Sequence, residues 1–137
     1  MLQPNRTKYR KHQKGGSGRG GVRSNTTKLE FGGYGVKALE GGRIQAKTIE
    51  AVRRVMRRRL KRSGQIWIRI FPDRVVTTKP SQVRMGKGKG APSGWICRVQ
   101  PGQILYEIGG VSFPLAKGAA HLASQKLGIK VGFICAD

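Results

Sequence analysis

The sequence predicts an α+β domain, a mostly antiparallel sheet with two packed helices, and three observations carry that expectation. Two segments, 46–62 and 112–127, repeat apolar residues at helical spacing. Around them, short runs alternate apolar and polar residues with a period of two, the mark of strands. The turns joining those runs are too short for parallel crossovers, so the strands should pair antiparallel. A chain of 137 residues suits one domain of this kind.

Residues 1–28 form a basic, glycine-rich arm ahead of that domain. They carry Arg6, Lys8, Arg10, Lys11, Lys14, Arg19, Arg23 and Lys28 and no acid at all. Glycines from Gly15 to Gly21 break any helix, and too few apolar residues occur to bury a face. Free in water the arm is expected to be disordered or irregular, whereas bound to RNA its glycines let the backbone approach phosphates.

The domain proper, 29–137, opens with Leu29 to Leu39, read as one or two short strands with a bulge or turn at Gly32-Gly33. Gly41-Gly42 then breaks the chain before the first helix, about Ala46 to Arg62. There Ile49, Val52, Met56 and Leu60 share one narrow stripe. Lys47, Arg54, Arg57, Arg58, Lys61 and Arg62 spread over the other side, with Arg53 beside them and Gly64 as a C-cap. Only Glu50 can pair with these cations. A face this uniform repels itself unless phosphates lie against it.

Gln65 to Phe71 alternates Ile66, Ile68 and Ile70 against Trp67, Arg69 and Phe71, a strand that turns at Pro72-Asp73. Val75 to Thr78 is a second β run, and after a loop Trp95 to Val99 and Ile104 to Ile108 follow, joined by Pro101-Gly102. Ser112 and Pro114 start the second helix, with Leu115, Ala119, Leu122, Ala123 and Leu127 facing inward and Gly128 at its end. The last strand, Ile129 to Cys135, should bury Ile129, Val131, Phe133 and Cys135. Cys97 and Cys135 read as two buried free thiols.

Between the strands, residues 81–94 form a basic finger. Its Arg84, Met85, Gly86, Lys87, Gly88, Lys89 and Gly90 alternate bare amides with cations. A P-loop needs Ser or Thr after Gly-Lys, and a dinucleotide fingerprint needs a helix after its glycines; neither follows here. Irregular RNA suits the pattern better, with Arg84 and Met85 placed to stack.

Charge and chemistry narrow the function. With 28 Lys+Arg against 6 Asp+Glu the formal net charge is +22, which opposes compaction unless a polyanion is bound. No run approaches the roughly 18–20 apolar residues of a membrane span, and the basic N-terminus is not followed by the apolar stretch of a secretory signal. The six acids are scattered, and His12 and His121 lack metal-ligand companions. Catalysis, a metal, a cofactor and a small-molecule substrate are therefore not expected. Composition alone still admits a free-standing RNA or DNA chaperone.

A resemblance separates these. Met1 to Lys11, Gln45 to Met56, Ile66 to Asp73, the Arg84-Met85-Gly86-Lys87-Gly88-Lys89-Gly90 block and Pro101 to Glu107 closely resemble the large-subunit ribosomal protein sixteen family of bacteria and organelles, over nearly the whole chain. The stretch 15–28 and the last residues depart from it. The resemblance implies an α/β-hammerhead-like fold and a structural role in the large ribosomal subunit. It implies partners in large-subunit rRNA, tRNA and neighbouring ribosomal proteins. It further implies late subunit assembly and a finger reaching toward aminoacyl-tRNA near the peptidyl-transferase region. The implied rRNA-binding set is Arg6, Lys8, Arg10, Lys11, Lys14, Arg19, Arg23, Arg53, Arg54, Arg57, Arg58, Lys61, Arg62 and Arg69. Gly94-Trp95-Ile96 and Gly102 to Leu105 look more like plant or algal mitochondrial versions than bacterial ones. The mitochondrial matrix is thus favoured over bacterial cytoplasm or chloroplast stroma.

Overall fold

The computed structural model describes residues 2–13, 15 and 26–136. In chain order they form β1 (Tyr34–Ala38), β2 (Gly42–Gln45), α1 (Ala46–Arg59), β3 (Gln65–Ile68), β4 (Arg74–Thr78), β5 (Ala91–Val99), β6 (Ile104–Gly109), α2 (Phe113–Ser124) and β7 (Val131–Cys135). All strand pairs are antiparallel, as expected for the α+β class. They divide, however, into two sheets: four strands in the order β3-β6-β1-β7 and three in the order β2-β5-β4.

That division corrects the pairing expected from short turns. The bends at Pro72-Asp73 and Pro101-Gly102 do not close hairpins; each carries the chain from one sheet to the other. A strand has two edges, and those of β6 are taken by β1 and β3 while those of β5 are taken by β2 and β4. The corners bond to each other instead. Gly102 N–H donates to the Ala38 carbonyl at 2.7 Å and Ala38 N–H to the Gln103 carbonyl at 2.8 Å. Among the described residues only β4 and β5, which flank the finger, are consecutive strands that also pair with each other.

Other boundaries moved for local reasons. β2 was not expected, because Gly41-Gly42 and a single apolar residue hide four residues that exist by pairing with Ile96 to Val99. β5 starts at Ala91 rather than Trp95 and includes Pro92, opposite Thr77, just beyond a register shift at Val76/Thr77. Proline lacks a donor but is tolerated where only one neighbour needs bonding, and β2 reaches no further than Ile96. α1 ends at Arg59, short of Arg62, since Lys61 and Arg62 turn to left-handed φ of 49° and 66°.

Ile49, Val52, Met56 and Leu60 are all fully buried, so the α1 stripe is where its periodicity put it. α2 packs against α1 and buries Ala116, Ala119, Ala120 and Ala123. That alanine face is rotated from the expected one and leaves Leu122 exposed. Tyr106 in β6 is fully buried and donates its hydroxyl to the Ile49 carbonyl at 3.1 Å, tying the four-stranded sheet to α1. Burial above all, with the Glu50 and Cys97 charges adding, pushes the Tyr106 phenol well above its usual range. β7 is an edge strand, so Val131 and Phe133 are half-buried and Cys135 is exposed; Cys97 is the buried thiol, and the two are not joined in a disulfide.

Candidate nucleic-acid interface

The helix face comes first because its geometry follows from sequence spacing. Glu50 lies one turn before Arg53 and Arg54 and binds both, at 2.6 Å and 3.1 Å. The Arg53 hydrogen bond above all, opposed by desolvation and helped by Arg54, holds the Glu50 carboxyl down at about 2. The same hydrogen bond, opposed by desolvation and helped by the Glu50 charge, raises the Arg53 guanidinium. Arg57 donates to the Gly64 carbonyl at 2.7 Å and so secures the turn leaving the helix. Arg58, Arg59, Lys61 and Arg62 stand exposed, with no ion pair to a carboxylate among the described residues. Two consecutive non-glycine residues in the left-handed region cost roughly 1–2 kcal/mol each; here they hold two cations outward at the helix end.

In the arm, Arg6, Lys8, Arg10 and Lys11 are exposed, and residues 2–13 form no helix or strand. Lys14, Arg19 and Arg23 lie outside the described residues. Leu2 packs against the core and lines a cavity of about 810 Å³ with Lys47, Glu50, Ala51, Arg54, Val55 and Lys126. Further along, Lys11 Nζ donates to the Lys89 carbonyl at 3.0 Å, and Lys89 Nζ donates to the His12 carbonyl. The arm thus runs from the charged side of α1 to the finger.

The finger folds on itself through Lys79 Nζ, which donates to the Gly86 carbonyl. Gly86, Lys87 and Gly88 take φ of 94°, 53° and 95°, a tip that glycines on both sides of Lys87 make accessible. Arg84 is exposed, and Met85 is 91% exposed, an apolar side chain held out in solvent.

Arg69 has a different setting. Its side chain is only 14% exposed, bonding the Glu107 carboxylate and lying 3.4 Å from Glu30. The guanidinium also sits 5.2 Å from the centre of the Phe31 ring, itself stacked on Trp67. Glu107 is fully buried and accepts the N–H groups of Phe31 at 2.7 Å and Gly32 at 2.9 Å, with Glu30 at 3.2 Å. Burial pushes the Glu107 carboxyl up, but the Gly32 and Phe31 amides, then Arg69 and the Glu30 amide, outweigh it and leave it below the usual carboxylate range. Arg69 is therefore tied up in holding the 30–32 loop on the four-stranded sheet. Nothing in the acid inventory pointed to this cluster; the available signal was one acid inside the apolar run Ile104 to Ile108.

Three further arginines were missed in the sequence. Arg43, Arg74 and Arg98 share the outer face of the three-stranded sheet, where Arg43 and Arg98 are register partners and Arg74 sits opposite Ile96. Their strands were legible only in part, so no periodicity could place them together.

The arrangement suits phosphate binding rather than proton transfer. The two carboxylates with shifted titration are both held ionised by donors. Among the described residues no three of His, Cys, Asp or Glu gather as metal ligands, and no helix is long and apolar enough to cross a membrane.

Comparison with known proteins agrees with this character. The family model described as ribosomal protein L16p/L10e matches residues 4–134. The large ribosomal subunit protein uL16m of Prototheca wickerhamii is 58% identical over 134 residues, covering 98% of both chains. The uL16 proteins of Mesorhizobium japonicum and Rhodospirillum centenum are 53% and 54% identical, each over 98% of this chain and 96% and 94% of theirs.

Proposed function

Because this chain belongs to the ribosomal protein L16p/L10e family, we propose that it works as a structural component of the large ribosomal subunit by holding rRNA on several basic surfaces. The observation that carries the reading is the α1 face: seven exposed or half-exposed cations from Arg53 to Arg62 share the single acid Glu50. Arg53, Arg54, Arg57, Arg58, Lys61 and Arg62 lie against rRNA phosphates there. Arg6, Lys8, Arg10 and Lys11 continue the contact along the arm, joined by Lys14, Arg19 and Arg23. Arg69, engaged with two carboxylates, supports the fold beside that surface rather than the RNA.

The finger from Arg84 to Gly90 takes the second role, positioning aminoacyl-tRNA near the A site and peptidyl-transferase region. Its exposed Met85 and Arg84 stack on bases or ribose, while Lys87 and Lys89 meet phosphates. Peptide transfer itself falls to the RNA. Entry into the subunit late in assembly fits a protein whose arm and finger need folded rRNA to lie on. Of the relatives compared, the algal uL16m is somewhat more similar than the bacterial proteins, which favours a mitochondrial ribosome.

Changing Arg54, Arg57 and Arg58 together to Ala tests the helix face. Affinity for large-subunit rRNA should fall by about one to two orders of magnitude, and the slope of log affinity against log salt should flatten by about one unit per lost phosphate contact. Normal incorporation of that variant into large subunits would overturn the assignment.

A further inference from the structure

One cavity, of about 270 Å³, lies where the arm crosses the three-stranded sheet, lined by Arg43, Arg74, Arg98, Lys89, His12 and the sheet residues Val75 to Thr77 and Ile96. No carboxylate lines it; Asp73, next to Arg74, borders the neighbouring cavity instead. Arg43 and Arg98 face each other across β2 and β5, which brings their Cβ atoms to about 5 Å. Register partners on one sheet face gather these two guanidinium groups at a single site. Ile96 is only 8% exposed on that same face. The arm roofs the site: Arg43 Nη2 donates to the Gly15 carbonyl at 2.8 Å, and a Cβ on Gly15 would stand 2.5 Å from Arg98 Nη2. Glycine is thus what lets the arm backbone lie on the Arg98 guanidinium. Beneath the roof His12 Nδ1 is shielded from solvent and has no hydrogen-bond partner among the described residues.

We propose that this cavity is a phosphate-binding pocket for one backbone phosphodiester of rRNA, which Arg43, Arg74 and Arg98 clamp and which locks the arm onto the sheet. The inference rests on the reading of the chain as an rRNA-binding protein and adds a specific site to it. Planar guanidinium forks match phosphate oxygens two at a time. The phosphodiester, a monoanion, would be held between Arg43 and Arg98 and attracted by both. Arm docking and RNA binding are then coupled, because the arm backbone closes over the bound phosphate.

The test uses the full chain, a transcript of large-subunit rRNA, a salt series and tryptic cleavage after Lys11. With RNA bound, wild-type Lys11 should be protected. Arg43→Gln/Arg98→Gln should lower affinity roughly tenfold or more, flatten the salt slope by about one unit and restore cleavage after Lys11, while crosslinks from α1 to the RNA persist. Arg74→Gln, on an exposed strand, guards against a folding defect and should shift the same readouts with an unchanged Tm. If slope and Lys11 protection match wild type in both variants, the pocket is wrong although rRNA binding stands. If the wild-type chain shows no affinity for the transcript, the functional reading itself falls. Inorganic phosphate alone, at millimolar concentration, should leave Lys11 open to cleavage; full protection by it would overturn the assignment to an RNA backbone.

Discussion

The two sheets use arginine in opposite ways. On the four-stranded sheet Arg69 is brought to Glu107 and Glu30, and three backbone amides complete a cluster in which each charge has a partner. On the three-stranded sheet Arg43 is set against Arg98, with Arg74 and Lys89 beside them and no acid at the site. The first arrangement stabilises the protein by itself, because a buried charge is tolerable only when paired and hydrogen-bonded. The second gathers cations at one site of the sheet, where we place the RNA phosphate. Cations balanced by carboxylates of the same chain belong to folding, whereas a local excess of cations suits an anionic partner.

The sharpest way to break this contrast is Glu107→Gln. Arg69 then loses its buried counter-charge, and stability should fall by about 3–5 kcal/mol, read from urea denaturation. A loss below about 1 kcal/mol would mean that the cluster is no more internally committed than the surface arginines. Gly32→Ala attacks the same cluster from the backbone, since its Cβ would stand 2.5 Å from the Ile108 carbonyl oxygen. The 30–32 loop must then lift away from Glu107, at about 1–2 kcal/mol in the same assay.

Acid sharpens the comparison further. Glu107 and Glu50 are both held below their ordinary range, so their contribution is fully present above the unfolded carboxylate value and is lost as pH falls through the folded one. For Glu50 that window runs from 4.5 down to about 2. Its pair is partly exposed and contributes below about 1 kcal/mol, so Glu50→Gln should flatten the stability-against-pH curve only slightly across that window. The smallest effect belongs to the finger. Lys87→Ala with Lys89→Ala should change stability by about 0.5 kcal/mol or less yet impair tRNA binding or late subunit assembly, measured by subunit profiles and translation. A large loss of stability would make the finger a part of the core rather than a binding device.

How much of this was legible depended on how local the cause was. The α1 stripe, the finger's composition and the Glu50 pairs follow from spacing within a dozen residues, and each is where the sequence put it. Leu122 and Cys135 were misplaced because a helix or strand pattern names a face but not its neighbour. α2 turned its alanines inward, and β7 fell at a sheet edge. Arg69 read as a surface cation because its partner, Glu107, is 38 residues away.

The sequence by itself determined the α+β class, the core stripe of α1, the excess of positive charge and the basic finger, since all of these arise from local periodicity and composition. Only the tertiary structure decided that the short turns at Pro72-Asp73 and Pro101-Gly102 switch sheets, that Arg69 serves the interior, and that Arg43 meets Arg98. Strand pairing is set by which edges remain free once every strand has chosen its neighbours, and no single segment carries that information.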